Sequence, residues 1–170
     1  IGLSNYTINT MKLEAKDIFE KLKSIFGDHI LELKEDKGSD PFIIVDSKKI
    51  LDICLELRDS EEFLFDYMSS LSGMDYKANL GVVYHLFSTT HNHKISLKVI
   101  LDKNNPALLS VEGVWKSANW HEREAFDMFG IKFEGHSNLI RILSPYDWEG
   151  YPLRKDYKTP EYYHGFKVPY

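Results

Sequence analysis

Residues 94 to 101, Lys-Ile-Ser-Leu-Lys-Val-Ile-Leu, place an apolar side chain at Ile95, Leu97, Val99 and Leu101. A period of two is what a strand with one buried face requires, because successive side chains point to opposite sides of a sheet. Such a strand cannot bury that face alone, so the rest of the chain must supply neighbouring strands and a covering layer. Candidates lie on both sides of it. Residues 80–89 form a second strand, entered through a turn at Lys77-Ala78-Asn79 and left through His91-Asn92-His93. Residues 63–76 read as a third, interrupted near Gly73. Upstream, His29–Lys34 and the β-branched run Phe42–Val45 flank a turn cluster from Lys37 to Pro41.

The apolar period changes to that of a helix in two places. Residues 14–26 carry Ala15, Ile18, Phe19, Leu22, Ile25 and Phe26 at helical spacing, with Gly27 as a stop. Residues 47–58 carry Ile50, Leu51, Cys54 and Leu57 inward, with Asp46 or Ser47 as cap. Helices and strands in this order, joined by short turns, predict an α+β two-layer sandwich, with a mainly antiparallel sheet and helices on one face. The predicted α+β domain covers 1–134. Prolines at 145, 152, 160 and 169 punctuate the rest, so 135–170 is expected to be an extended C-terminal interaction tail. Residues 1–10 are uncharged and without a period, an arm of no assigned structure. The chain opens on Ile1 with no visible signal peptide, and Met11 is a candidate start.

Composition narrows the function. A chain of 170 residues suffices for one core. The net charge of −5 argues against nucleic acid, which needs a concentrated basic field. That charge is uneven: residues 150–170 hold Arg154, Lys155, Lys158 and Lys167 against Asp156 and Glu161, a net +2, which leaves −7 on the remainder. Aromatic content of 14% suggests aromatic surface as well as core, as partner interfaces favour. The single cysteine, Cys54, excludes an internal disulfide and an iron–sulfur cluster held by this chain alone, which needs about four ligands. No apolar run approaches the roughly 20 residues of a membrane-spanning helix.

One more helix is expected at residues 120–129, with Asn119 and Glu122 as a capping pair and Gly130 as its C-terminal stop. Trp120, Arg123, Glu124 and Asp127 share one face, and Arg123 can pair with Asp127 four residues on. Glu122 and Glu124 read as first-turn acids favoured by the helix dipole. Arg141 sits in Leu139-Ile140-Arg141-Ile142-Leu143, an apolar context that demands a carboxylate from Glu122, Glu124, Asp127 or a partner. The bland reading of this helix is a solvated charged face; the sharp one makes its charges fixed partners for the tail or a neighbour.

Catalytic and metal readings are thin. His121-Glu122-Arg123-Glu124-Ala125 lacks the second histidine of a zinc-protease helix. His85, His91 and His93 could be read as a metal-dependent hydrolase centre, against a polar-turn reading. His136 has no nucleophile beside it. The tail's Tyr162, Tyr163, Phe166 and Tyr170, interleaved with Lys158 and Lys167, fit an interface arm better than a single-strand nucleic-acid site on an acidic body.

The stretch from Trp120 onward has further content. It reads W-x-E-R-E at Trp120, Glu122, Arg123 and Glu124, then D-x-F-G-I from Asp127 through Gly130 to Ile131, then Gly135-His136, Leu139 and Arg141-Ile142-Leu143. It finishes with Gly150-x-Pro152-Leu153-Arg154-Lys155-Asp156-Tyr157. This resembles the signature of the thirty-kilodalton subunit family of respiratory complex I. The sequence departs from it at Ser137, where the family usually has proline.

The resemblance implies a non-catalytic subunit in the peripheral arm of a proton-translocating NADH:quinone oxidoreductase. It would bind no cofactor, with FMN, iron–sulfur clusters and quinone held elsewhere in the complex. It would pack beside the quinone-pocket subunit, of the forty-nine-kilodalton type, and neighbouring iron–sulfur subunits. That places it on the cytoplasmic side of a bacterial inner membrane or the equivalent organellar side. The motif residues would then be interface or structural positions. Same-family alternatives are a ferredoxin-dependent photosynthetic complex or a membrane-bound hydrogenase.

Overall fold

In the computed structural model, residues 12–35, 38 and 40–168 are described, and the uncharged arm at 1–10 lies outside them. Helix α1 (Ala15–Phe26) opens with the Asp17 carboxylate accepting from the Glu14 N–H at 3.1 Å, and stops at Gly27. Strands β1 (Ile30–Lys34) and β2 (Phe42–Val45) follow, then a single tight turn at Ser47–Lys49 capped by Asp46, and helix α2 (Ile50–Asp59). Strands β3 (Tyr67–Asp75), β4 (Asn79–Ser88) and β5 (His93–Asp102) are long and hairpin-connected. The short β6 (Ala107–Leu109), helix α3 (Ala118–Phe129) and short β7 (Lys132–Glu134) complete the domain. Near the C-terminus β8 (Tyr162–Tyr163) and β9 (Phe166–Lys167) make a small hairpin.

The five long strands form one sheet in the order β1-β2-β5-β4-β3. All neighbours are antiparallel except β2 and β5, which run parallel. Chain direction explains the exception. Helix α2 carries the chain from β2 to the far edge, where β3 starts in the direction of β2; two hairpin reversals then bring β5 back beside β2 in that same direction. The expected architecture, α+β with a mainly antiparallel sheet, is therefore what the chain adopts. Ile95, Leu97, Val99 and Leu101 are all buried, beside Leu80, Val82, Tyr84 and Leu86 of β4. Ile18 and Leu22 of α1, Ile50, Ile53, Cys54 and Leu57 of α2, and Ala118 and Ala125 of α3 close over them in one core. The opposite sheet face is only partly covered: Val83, His85 and Phe87 are half-buried, and Tyr67, Met74 and Ile100 are exposed.

The structure departs from expectation at two places and adds one strand pair. Phe63 and Phe65 are not strand residues; they are fully buried in the turn that leads from α2 into β3. The strand pair β6–β7, three residues each and parallel, is too short to leave a pattern in the sequence. Gly73 does not interrupt β3, whose irregularity lies instead between Met68 and Ser70. Gly73 is small because α3 comes close: a Cβ there would lie 2.5 Å from Phe129 Cδ2 and 3.2 Å from its Cγ. Those atoms sit at the base of the ring, so the helix must move to accommodate a methyl group. We expect Gly73→Ala to lower the free energy of unfolding by about 1–3 kcal/mol, the usual effect of overpacking, read as a fall in the urea midpoint.

Candidate functional site

Helix α3 starts at Ala118, two residues before the expected start, and closes on Gly130 in the left-handed conformation (φ 72°). The earlier start changes what its acids do. Glu122 lies beyond the first turn and caps nothing. It is fully buried, accepting from Ser110 Oγ at 2.6 Å and from the Val111 N–H at 2.7 Å. It thereby fixes the chain between β6 and α3. Burial pushes its pKa up to about 7, against the pull of those two hydrogen bonds and with help from the Glu112 charge.

Glu112 is shifted the other way. Burial opposes ionisation there too, but Asn119 Nδ2 at 2.6 Å and the Ser137 N–H at 2.5 Å hold the carboxyl below its ordinary value. A proline at 137 would have no N–H to give, so the departure from the motif adds a donor to this carboxylate. His136 lies between the two acids, its Nε2 3.1 Å from the Asn119 carbonyl, 3.5 Å from Glu112 and 4.0 Å from Glu122. Its Nδ1 accepts from the Asn138 N–H at 3.0 Å, which leaves Nε2 as the donor. Gly135 before it has φ 82°, a turn that favours glycine.

The second centre is Asp127, also fully buried. One carboxylate oxygen accepts from Arg141 Nη1 at 2.7 Å, and the other from the N–H groups of Ile142, Leu143 and Ser144 at 3.0, 2.7 and 2.8 Å. Against burial, these donors hold the Asp127 carboxyl below its usual range. Arg141 also donates to the Asp127 carbonyl at 3.1 Å and, through Nη2, to the Gly150 carbonyl at 2.9 Å. The anticipated carboxylate partner of Arg141 is therefore Asp127. The anticipated Arg123–Asp127 pair does not form: Arg123 donates to the carbonyls of Ile140 and Arg141, and its guanidinium lies 5.1 Å from the Trp120 ring. Trp120 is 62% exposed and Glu124 is exposed. Trp120 and Asp127 stand two turns apart on nearly the same azimuth, so loop 141–144 folds over only the last part of a face that is open at its start.

The segment after Gly135, expected to be an extended arm, is in large part docked on its own domain. Tyr151 packs where a Cβ on Gly130 would stand, and the guanidinium groups of Arg141 and Arg154 lie 5.4 and 4.7 Å from its ring centre. The Leu153 N–H donates to Met128 O, and Arg154 Nε to Phe129 O at 2.6 Å. The Lys155 N–H donates to the buried Asp75 carboxylate, which also meets Lys103, while Lys103 reaches Asp156 at 3.2 Å. Trp148 Nε1 donates to Tyr157 Oη. The β8–β9 hairpin folds back so that the Tyr163 ring packs at a tilt against Trp148 and its hydroxyl donates to Asp147. Ser110, Glu112, Asp75, Lys103 and Tyr151 escaped sequence reasoning, since none stands in a pattern that announces its partner.

Neither the nucleophilic nor the metal reading gains a centre. His85 pairs across the sheet with Ser96 Oγ, while His91 and His93 hold the turn after α2 through the Glu61 and Phe63 carbonyls, His93 also accepting from the Leu13 N–H. Among the described residues no three His, Cys, Asp or Glu side chains gather as a metal-binding group. Cys54 is fully buried, and burial pushes its thiol far above the ordinary value, the opposite of a ligating thiolate.

Two outcomes are expected for the isolated chain. Asp127→Asn leaves the Arg141 charge without its counter-charge and turns an amide N–H₂ toward backbone donors. It should cost about 3–5 kcal/mol, measured by urea unfolding. Glu122 holds a proton more tightly folded than unfolded. Its contribution is therefore fully present below about pH 4.5 and is lost as pH rises toward 7. Glu122→Gln should flatten the stability profile between those values; an unchanged slope would show that the carboxyl is not titrating there.

Comparison with known proteins agrees with the resemblance. The family model described as "Respiratory-chain NADH dehydrogenase, 30 Kd subunit" matches residues 43–163. A curated NADH-quinone oxidoreductase subunit from Chloroherpeton thalassium is 48% identical over 89% of this chain; the chain spans 64% of that longer protein. The subunit of the same name from Chlorobium phaeobacteroides is 44% identical over 92% of this chain and 96% of its own length. Among solved structures, a trypsin-resistant fragment (1-134) of Nqo5 superposes with TM-score 0.59 at 23% identity, covering 71% of this chain and 97% of the fragment. A chain from the structure of an archaeal membrane-bound sulfane sulfur reductase superposes with TM-score 0.69, also at 23% identity, covering 84% of this chain and 85% of that one. Those two likenesses establish the fold, and the sequence matches establish the family: the chain is a member of the thirty-kilodalton subunit family of the respiratory-chain NADH dehydrogenase.

Proposed function

We propose that the chain serves as a non-catalytic structural subunit in the peripheral arm of a proton-translocating NADH:quinone oxidoreductase. In this reading electrons pass from NADH through FMN and iron–sulfur clusters to quinone in other subunits. This chain packs beside the quinone-pocket subunit of the forty-nine-kilodalton type, on the cytoplasmic side of the membrane. The observation that carries the reading is the near end-to-end match, at 44% identity, to a curated NADH-quinone oxidoreductase subunit. The chemistry of the chain supports it. The buried carboxylates Glu122, Asp127 and Asp75 are spent on backbone N–H groups and cations of the same chain, and the single thiol is locked in the core. No helix among the described residues is long and apolar enough to cross a membrane.

The contact surface in this reading is the aromatic C-terminal region. Tyr162 and Phe166, 62% and 79% exposed, are held out by a hairpin that is itself pinned through Trp148 and Asp147, and Tyr146, 92% exposed, stands beside Asp147 in sequence. Presenting large aromatics on a pre-ordered hairpin lowers the ordering entropy paid on association. The test is to purify the assembly through a tag on this chain. Flavin, iron and NADH oxidation should co-purify with the assembly and be missing from the chain expressed alone; stoichiometric iron or flavin on the isolated chain would overturn the assignment. Deleting residues 158–168 should leave α3 and the sheet folded while weakening retention in the assembly.

A further inference from the structure

The two edges of the five-stranded sheet are built differently. At one edge, β1 is five residues long, is charged at Glu32 and Lys34, and bulges between Ile30 and Glu32; Lys23 caps its Ile30 carbonyl. Short length, charge and a bulge are devices that keep an edge from pairing. At the other edge, β3 is nine residues long and has neither charge nor proline from Tyr67 to Met74. Its own bulge is confined to Met68–Ser70, so the register from Ser70 to Asp75 is regular. Among the described residues no strand pairs with its outer side.

A groove of about 210 Å³ runs between this edge and α3, lined by Leu71, Ser72 and Gly73 of the strand, by His121, Glu124 and Phe129 of the helix, and by Leu153 of the docked tail. Alternation turns Leu71 and Gly73 toward the helices and Ser72 away from them. A groove that touches all three therefore touches the backbone edge itself. The outward N–H and C=O groups are within reach of an incoming chain.

We infer that this edge is a strand-addition site. An extended segment of a partner protein pairs with Leu71–Met74 and sets a basic side chain against Glu124. Main-chain hydrogen bonds supply the pairing, and the groove and the carboxylate select the sequence. Glu124 is exposed and has no charged partner among the described residues. A second copy of this chain is a poor occupant: a two-fold axis through paired β3 edges would bring the two like-charged Glu124 carboxylates toward one another. The chemistry calls instead for a basic, extended segment from a different chain. Its source in a neighbouring subunit rests on the function proposed above, whereas the edge and its charge do not.

The experiment is hydrogen–deuterium exchange on the isolated chain and on the native assembly purified through it. The outward amides of Leu71–Met74 should exchange freely in the isolated chain and about 100-fold more slowly in the assembly. Glu124→Lys should lower retention in the assembly about tenfold while leaving the urea midpoint of the isolated chain unchanged. Equal exchange in both states overturns the inference. Protection that grows with the concentration of the isolated chain identifies a second copy as the occupant and overturns it too. An assembly that protects the edge but carries no flavin or iron retains this inference and removes the proposed function; a chain that purifies alone with its edge open removes both.

Discussion

A carboxylate taken out of water has to be answered by donors close at hand, and Asp127 is answered from a single loop. Three consecutive N–H groups, of Ile142, Leu143 and Ser144, converge on one oxygen, and the Arg141 guanidinium takes the other. Fixing those four residues fixes the course of the chain beyond them. Arg141 reaches the Gly150 carbonyl, Tyr151 lies against Gly130 between two guanidinium groups, and Arg154 and Leu153 bond the carbonyls at the end of α3. The Lys155 N–H then closes onto Asp75 at the end of β3. An irregular segment with almost no apolar period is thus held to the sheet through carboxylates and carbonyls. A buried ion pair of this kind adds little over an apolar contact of the same shape, but breaking it strands a charge. It therefore specifies where the segment goes more than how stable it is.

Glu122 and Glu112 show how far environment, and not residue type, decides a role. They share the neighbourhood of His136, yet Glu122 is driven up toward neutrality by burial, and Glu112 is held ionised by Asn119 and Ser137. A strongly raised carboxyl is a common mark of an active site. Here it lies at zero exposure, its oxygens bonded to Ser110 and Val111. The perturbation comes from using a carboxylate as a buried tie for two main-chain segments.

What could be read from the sequence was what obeys a period. The strand at 94–101, the strand Phe42–Val45 and the helix at 15–26 were legible because one face of each is buried against a continuous core. The parallel pairing of β2 with β5 was not, since it depends on where α2 delivers the chain and on a count of reversals. The Asn119–Glu122 spacing imitates a capping box; the helix begins at Ala118, which moves Glu122 one turn into the core. Gly73 was read as a break in the strand, whereas the glycine answers the close approach of Phe129. Docking of the tail was hidden because hydrogen bonds from backbone N–H groups to Asp127 and Asp75 leave no trace in side-chain hydrophobicity. Of these contacts only the Arg141–Asp127 pair was foreshadowed, by the apolar run around Arg141.

Once the contacts are known, the motif divides in two. Glu122, Asp127, Gly130, His136 and Arg141 are turned inward and account for the path of the chain. Trp120 and Glu124, one turn apart on α3, face solvent, and Trp120 is touched by Arg123 from the same helix. A largely exposed tryptophan contributes little to the stability of its own domain, since the area it could bury stays wet. Glu124 also lines the groove beside the uncharged edge of β3, so the outward residues of α3 and the open strand border one surface. Folding explains the inward half of the motif completely and the outward half not at all. The tail covers the C-terminal end of that helix face at Asp127 and leaves its start, at Trp120, in solvent.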